Sequence, residues 1–243
     1  MRQKVLVRDL GRISYEEGLR IQKTVLEGLV SIKRANRKHA PEARTIPLHQ
    51  FLFCEHDPVF TLGRTGKENH LLLNASQLKN ESISFHKTNR GGDITFHGPG
   101  QIVGYPILDM EWFFTDVHKY VRYIEEAIIR TLRDFEITGK RIPGYTGVWL
   151  DATPEKPERK ICAIGIHLSR WVSMHGFAFN VNTDLHYFTK IIPCGISDTD
   201  KTVTSLKQEV NHPVSVVEVK NKLIEHFADL FAFDYELENS FSE

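Results

Sequence analysis

The chain has 243 residues and carries no net charge, because 31 Lys and Arg side chains balance 31 Asp and Glu side chains. A nucleic-acid-binding protein usually shows a basic excess, so this balance argues against a nucleic-acid partner. Hydrophobic residues form 41% of the chain and charged residues 26%, which is typical of a globular protein that builds its own core. No stretch approaches the roughly 18 consecutive apolar residues of a membrane span, so no membrane partner is expected.

The three cysteines show neither the even number of a disulfide framework nor the C-x-x-C spacing of a zinc site. The first residues contain no apolar run of the signal-peptide type, which predicts a reducing, cytoplasmic location. The sequence holds no H-E-x-x-H, no G-x-G-x-x-G and no G-x-x-x-x-G-K-[ST]. It therefore predicts no metal and no cofactor of the dinucleotide or phosphate-loop kind.

Hydrophobic periodicity predicts the secondary structure in chain order. Strands are predicted at 4–9, 50–54, 59–64, 82–87, 94–97, 102–108, 145–150, 161–168 and 175–181. Helices are predicted to start at Ser14, at Thr115 or Asp116, and at Ser215. Ser14 and Ser215 each stand three residues ahead of a glutamate, which indicates an N-cap. Strands outnumber helices without strict alternation, which favours an α+β fold with a mixed β-sheet flanked by helices. Without a linker or an internal repeat, residues 1–243 are interpreted as a single domain.

The segment Arg90-Gly91-Gly92-Asp93, followed by the strand Ile94-Thr95-Phe96-His97, is the first candidate binding feature. Two adjacent glycines let backbone N–H groups approach a ligand closely. From spacing alone, a plain hairpin turn is the more common explanation of a glycine pair.

The cysteines differ in their surroundings. Cys54 and Cys162 lie within apolar strands and are interpreted as small core residues. Cys194 lies in the turn Pro193-Cys194-Gly195, and it is a candidate nucleophile if a nearby cation lowers its pKa from about 8.5. The pattern alone leaves a catalytic and an inert Cys194 equally open. Lys160, at the start of an apolar strand, is by itself typical of a solvated lysine.

Taken together, these motifs resemble those of the lipoate-biosynthesis octanoyltransferases, the LipB family. The resemblance spans roughly residues 50–210, and its segments follow the family's order. They are Arg90-Gly91-Gly92, Thr95-Phe96-His97, Gly100-Gln101, Val103, Tyr105-Pro106, Thr146-Gly147-Val148-Trp149, Lys160-Ile161, Ala163-Ile164-Gly165, His175-Gly176 with Ala178 and Asn180, Pro193-Cys194-Gly195 and Thr204-Ser205-Leu206. The resemblance implies the catalytic-domain fold of biotin and lipoyl protein ligases.

The resemblance also implies a function. The family moves an octanoyl group from octanoyl-acyl carrier protein to a lysine of lipoyl domains, in 2-oxoacid dehydrogenase complexes and in the glycine cleavage H protein, and it uses no cofactor. By this resemblance Cys194 holds the acyl group as a thioester, and Lys160 lowers the pKa of the thiol and shuttles protons. The implied acyl substrate site comprises Arg90, Gly91, Gly92, Asp93, Ile94, Thr95, Phe96, His97, Ala163, Ile164, Gly165, Gly176, Phe177 and Ala178.

Two features depart from the family pattern. Phe177 and Phe179 stand where smaller aliphatic residues are expected, so the preferred acyl chain is predicted to shift from eight carbons if either ring faces the acyl site. The segment from Lys33 to Arg44 is predicted to be a long basic loop. It is interpreted either as a surface that steers acidic carrier and lipoyl domains or as an ordinary solvated loop.

Three other functions remain open at this level. An ATP-dependent lipoate or biotin ligase would need an adenylate site and no nucleophilic cysteine. A lipoyl-domain binding protein would share the fold without turnover. A cysteine hydrolase would need a histidine paired with Cys194, which the sequence does not assign.

Overall fold

The computed structural model describes residues 2–192 and 201–241. Its strands are β1 (Gln3–Ile13), β2 (His49–His56), β3 (Val59–Leu62), β4 (Ser84–Lys87), β5 (Ile94–His97), β6 (Gln101–Ile107), β7 (Lys140–Ile142), β8 (Tyr145–Leu150), β9 (Glu158–Ser169), β10 (Val172–Asn180), β11 (Lys201–Val203) and β12 (Phe233–Leu237). Its α-helices are α1 (Tyr15–Asn36), α2 (Ala75–Asn80), α3 (Val117–Asp134), α4 (Leu206–Val210) and α5 (Val216–Phe231). Strands outnumber helices in these ranges, as expected for the α+β class.

The larger sheet is mixed and contains nine strands of the described chain. Its order is β12-β1-β2-β6-β10-β9-β8-β7, and β11 pairs in addition with the start of β9. Strand β1 runs parallel to both of its neighbours and β11 runs parallel to β9, whereas the other neighbours are antiparallel. Helices α3 and α5 cover one face and α1 covers the other, which confirms the predicted mixed sheet flanked by helices.

Alternation along β2 shows how the sequence produces these two layers. Phe51 and Phe53 face α3 and α5, whereas Leu52 and Cys54 face α1, and all four side chains are fully buried. Successive side chains of a strand point to opposite faces, so an unbroken apolar run predicts burial on both sides. Burying a phenylalanine of this kind stabilises the fold by about 1.5–3 kcal/mol.

Strands β9 and β10 form the predicted hairpin. A two-residue turn at Arg170 and Trp171 connects them, and both residues have positive φ, at 52° and 64°. Gly165 and Gly176 face each other across this pair. A Cβ on Gly176 would lie 2.1 Å from the Gly104 carbonyl oxygen, so only glycine permits the close approach of β6 and β10 there.

A smaller sheet, in the order β4-β3-β5, lies beside the larger one. Strand β4 pairs with β3 in parallel, and β5 pairs with the opposite side of β3. The two strands that flank Arg90-Gly91-Gly92-Asp93 are therefore not neighbours. The plain hairpin turn considered for this segment is wrong, because the chain must cross over β3 there.

The prediction of a basic loop over 33–44 is wrong in its first part. Helix α1 continues to Asn36, and the Lys33 ammonium is buried in ion pairs with Asp109, at 2.7 Å, and Glu111, at 3.0 Å. The other basic side chains of the segment are exposed. Arg34 lies in the last turn of α1, a 22-residue helix about 33 Å long, and Arg37, Lys38 and Arg44 follow the helix. None of the helices in the described ranges is long and apolar enough to cross a membrane.

Candidate active site

A cavity of about 440 Å³ lies where β9, β10, the segment 90–97 and the first turns of α3 meet. Its volume falls within the range of about 300–1,000 Å³ that small-molecule sites occupy. Most residues of the implied acyl site line it. They are Arg90, Gly91, Gly92, Asp93, Ile94, Thr95, His97, Ala163, Ile164, Gly165, Gly176, Phe177 and Ala178, together with Lys160.

The structure places Phe96 away from this cavity. Its ring stacks on Tyr187, with 4.4 Å between the ring centroids, in the core beneath the smaller sheet. Phe96 points there because side chains alternate along β5, and its neighbours Thr95 and His97 take the cavity side.

Phe177 and Phe179 differ in their relation to the cavity. Both side chains are buried in the core under α3 and α5, on the face of the sheet opposite Ala178. Phe179 is fully buried there, outside the cavity wall. Phe177 borders the cavity from this side, and its ring stacks on Phe227 at 5.6 Å. Phe177 is therefore the one of the two that can contact a bound acyl chain.

Lys160 lies in a three-stranded part of the sheet. Its backbone pairs with Trp149 of β8 on one side and with Val203 of β11 on the other. Its Nζ lies 4.6 Å from the centre of the fully buried Trp149 ring, a cation–π contact, while the side chain also borders the cavity. The lysine is half-buried, with its side chain between the Trp149 ring and the cavity.

Cys194 lies outside the described residues, so its distance to Lys160 stays a prediction. The chain on either side of it is described. Ile191 is buried and pairs with Leu71, and Val203 is the register partner of Lys160. The described residues after the cysteine therefore return to the strand that bears Lys160.

Arg90 is a buried residue of the cavity wall, and its hydrogen bonds connect the wall to the smaller sheet. Its guanidinium donates to the Thr61 carbonyl oxygen, to Thr61 Oγ1 at 2.9 Å and to the Gly91 carbonyl oxygen at 3.0 Å. Gly91 N in turn donates to Ile166 O of β9, at 2.9 Å. The glycine segment is thus bonded to the edge of β9 at Ile166, beyond Cys162, the last residue of β9 that pairs with β8.

A directional chain of hydrogen bonds continues from Thr61 across the cavity floor. Gln101 Nε2 donates to the Phe96 carbonyl oxygen, which can only accept, so Gln101 Oε1 faces His97 Nδ1 at 2.8 Å. His97 therefore carries its proton on Nδ1, and its bare Nε2 accepts from Thr61 Oγ1 at 3.2 Å. Burial, with a smaller effect of His56, lowers the pKa of His97 well below its usual value, which agrees with a neutral imidazole.

The same chain reaches the backbone beside Lys160. Gln101 Nε2 also donates to Asn180 Oδ1 at 2.9 Å, and Asn180 Nδ2 donates to the Thr204 carbonyl oxygen at 3.0 Å. Thr204 N then donates to the Lys160 carbonyl oxygen at 2.9 Å. Thr61, Gln101 and Asn180 are buried positioning residues that the sequence predictions did not include, although Gln101 and Asn180 lie within the segments that carried the resemblance.

The other histidine of the inner wall is also neutral. Burial, followed by the charge of Arg90, lowers the pKa of His175 to about 3, and its Nε2 lies 2.8 Å from Asn89 Oδ1. Both nitrogens of His97 are engaged in hydrogen bonds, so its imidazole is not placed as a free general base, and the low pKa of His175 makes that imidazole a weak base.

Cys54 and Cys162 do not line the cavity. Cys54 and Cys162 are fully buried, and burial raises the pKa of both thiols, which confirms them as core residues. Within residues 2–192 and 201–241, no group of three His, Cys, Asp or Glu side chains is arranged to hold a metal ion.

Replacing Asn180 by alanine is expected to lower the free energy of unfolding by about 2–4 kcal/mol, because two buried partners, Gln101 Nε2 and the Thr204 carbonyl oxygen, lose their hydrogen bonds. Urea denaturation measures this loss. Asn182→Ala is the comparison, since Asn182 makes two bonds of the same kind to Val214 at a half-buried position. A change of less than about 0.5 kcal/mol for Asn180→Ala would contradict the network.

Comparison with known proteins identifies the family to which this chain belongs. The family model described as the lipoyl protein ligase A/B catalytic domain matches residues 19–228. A bipartite lipoate protein ligase from Thermoplasma acidophilum superimposes with a TM-score of 0.66 at 18% identity, covering 100% of this chain and 88% of its own. P. falciparum LipL1, solved in complex with lipoate, gives a TM-score of 0.68 at 12% identity, covering 97% of this chain and 65% of its own. The chain therefore belongs to the lipoyl protein ligase A/B catalytic domain family and has its fold.

Sequence relatives show which branch of the family this chain resembles. An octanoyltransferase of Cytophaga hutchinsonii is 50% identical over 234 residues, covering 96% of this chain and 95% of the relative. An octanoyltransferase of Flavobacterium psychrophilum is 51% identical over 233 residues, covering 95% of this chain and 98% of the relative. The lipoate-biosynthesis octanoyltransferases are thus the branch to which this chain is similar along nearly its whole length, as the motifs predicted.

Proposed function

We propose that this protein transfers an octanoyl group from octanoyl-acyl carrier protein to a lysine of lipoyl domains, through a thioester on Cys194. The observation that carries the proposal is the placement of Lys160 on a cavity lined by nearly all of the implied acyl-site residues. The similarity to octanoyltransferases at 50% identity supports the same reaction. Residues 1–243 are proposed to act as one catalytic unit in the cytoplasm.

The first step exchanges one thioester for another. The Cys194 thiolate attacks the carbonyl carbon of the carrier thioester, the carrier thiolate leaves, and it takes up the proton of the Lys160 ammonium, which leaves the lysine neutral. The ammonium of Lys160 favours the thiolate by lowering the pKa of the Cys194 thiol. Because the bond formed is of the same kind as the bond broken, the step needs no ATP.

The second step forms an amide. The amine of the acceptor lysine attacks the Cys194 thioester, loses a proton, and expels the thiolate. A base must take the proton from the attacking amine, and Lys160 in its neutral form is proposed to do so. The Trp149 ring, 4.6 Å from Nζ, keeps the side chain beside the cavity, where it is proposed to exchange protons with the reacting groups.

The developing oxyanion needs an N–H donor that is not otherwise bonded. The N–H groups of the glycine turn and of Gly195, the residue after Cys194, are the candidate donors. Gly91 N already donates to Ile166 O at 2.9 Å, which removes it from the candidates. The N–H groups of Gly92 and Gly195 are the remaining proposals.

The acceptors are proposed to be lipoyl domains, including those of 2-oxoacid dehydrogenase complexes and the glycine cleavage H protein. An ATP-dependent ligase on the same fold is the main alternative, and it would take free octanoate instead of the carrier thioester. A hydrolase would release octanoate to water, for which the engaged nitrogens of His97 offer no base.

A transfer assay separates these functions. Purified protein, octanoyl-acyl carrier protein and an unmodified lipoyl domain are incubated without ATP, and the domain is weighed by mass spectrometry. We expect one octanoyl amide per domain and no reaction when octanoate and ATP replace the carrier thioester. Transfer that requires ATP, or release of free octanoate without modification of the domain, would contradict the proposal.

A further inference from the structure

The segment 63–72 crosses between the acyl cavity and the chain that precedes Cys194, so it contacts both parts of the proposed site. Its first part is bonded to the glycine turn of the cavity wall. Gly63 N donates to the Asp93 carbonyl oxygen at 3.1 Å, and Arg64 N donates to the Arg90 carbonyl oxygen at 2.9 Å. These bonds hold the segment in a fixed position relative to the cavity.

The last part of the segment is bonded to the residues directly before Pro193. Ile192 N donates to the His70 carbonyl oxygen at 2.8 Å, and Leu72 N donates to the Lys190 carbonyl oxygen at 3.0 Å. The backbone two residues ahead of Cys194 is therefore held by His70.

The His70 side chain reaches back to the cavity. Its Nδ1 lies 2.5 Å from Asp93 Oδ2, and because a carboxylate only accepts, Nδ1 carries the proton. Asp93 Oδ1 also accepts from Ile94 N at 2.7 Å and from Lys67 N at 3.3 Å. With three donors on its carboxylate, the nearly buried Asp93 is a rigid point in the cavity wall, and His70 is attached to it.

We propose that His70 is a positioning residue for acyl transfer. Its imidazole is fixed by Asp93 in the cavity wall, and its carbonyl oxygen fixes Ile192, so one residue links the acyl site to the backbone that leads to Cys194. This inference rests on the proposed function, because it assumes that Cys194 receives the acyl group. A shift of about 1 Å between reacting groups can slow a reaction by about 100-fold, so a link of this kind matters for the rate.

Substitutions at His70 test the link. His70→Ala removes the imidazole and is expected to lower the first-order rate of Cys194 octanoylation about 10- to 100-fold at saturating donor. The half-saturating donor concentration is expected to stay within about two-fold, because the cavity itself remains. In His70→Asn the amide nitrogen takes the place of Nδ1 on Cγ, so the rate should recover to within about five-fold of wild type. In His70→Gln the amide lies one bond further out, and the rate should stay low.

His226→Ala is a matched control. His226 pairs with Asp134 at 2.7 Å, and its side chain is 23% exposed, as is that of His70, but the pair joins α5 to α3 away from the cavity. The inference is supported if the wild-type protein is octanoylated and only His70→Ala and His70→Gln react slowly. Equal rates for His70→Ala and His226→Ala overturn it. If His70→Ala does not fold, equal rates for the Asn and Gln variants overturn it.

The proposed function and this inference fail in different ways. A wild-type protein that forms no octanoyl adduct contradicts the function. In that case the rate at which iodoacetamide alkylates Cys194 still measures the link, and we expect it to fall at least about five-fold in His70→Ala, because a displaced thiol loses the cation that favours its thiolate. Unchanged alkylation overturns the inference.

Discussion

Lys160→Ala is expected to slow octanoylation of Cys194 by about 10²–10⁴-fold near neutral pH, the size of effect usual for loss of an acid–base group. Without the ammonium, the thiol returns towards a pKa of about 8.5, so the rate of thioester formation should rise again at about pH 9. Transfer to the acceptor lysine should stay slow at both pH values, because the base is missing. Single-turnover mass spectrometry at the two pH values measures both steps.

Two control variants make this prediction specific to Lys160. Lys160→Arg keeps the positive charge over Trp149 but cannot give up its proton, so it should form the thioester and fail to transfer it. Lys201→Ala removes a neighbouring lysine whose Nζ lies 5.3 Å from the Tyr145 ring, and it should retain most of the activity. If Lys160→Ala is octanoylated at the wild-type rate near neutral pH, Lys160 has no part in the mechanism.

Local patterns predicted much of the fold. The apolar runs at 51–54 and 177–179 correctly indicated strands of a buried sheet, because burial on both faces leaves a continuous apolar run. Ser14 and Ser215 were correctly identified as N-caps, since each accepts from the backbone N–H three residues later. These signals depend only on neighbouring residues, so a single sequence contains them.

Features that depend on distant partners were not predictable in this way. The burial of Lys33 depends on Asp109, which lies 76 positions further along the chain. The crossover between β4 and β5 depends on which side of β3 each strand pairs. Short elements were missed as well. Helix α2 has a complete capping box at Asn74 and Gln77 that was readable, whereas the three-residue strand β11 has too little sequence to show a period.

The candidate site was predicted in part, and mainly through the resemblance to a family. The glycine segment, Lys160 and Ala178 border one cavity, as expected for residues of one site. Phe96 faces away, because family segments do not state which side of a strand a residue takes. His70, Thr61 and Asn180 act through hydrogen bonds across 23 to 36 positions, which no local pattern encodes.

The proposed intermediate is an octanoyl thioester on Cys194, which carries the acyl group from the donor to the acceptor. Of the three cysteines, Cys54 and Cys162 are fully buried with raised thiol pKa values, so neither is suited to attack a carrier thioester near neutral pH. A covalent intermediate should therefore form at a single position. Cys194→Ser keeps the shape of the side chain but replaces the thiol with a hydroxyl that stays protonated, so it should form no adduct.

The most direct test is the intact mass of the protein after incubation with octanoyl-acyl carrier protein, without ATP and without an acceptor domain. We predict one octanoyl adduct per chain, located at Cys194 by peptide mapping, lost on treatment with hydroxylamine, and absent from Cys194→Ser. Adding an unmodified lipoyl domain should then discharge the adduct onto the domain. A wild-type protein that modifies the domain without ever carrying the adduct, or a Cys194→Ser variant that transfers at the wild-type rate, would contradict the account.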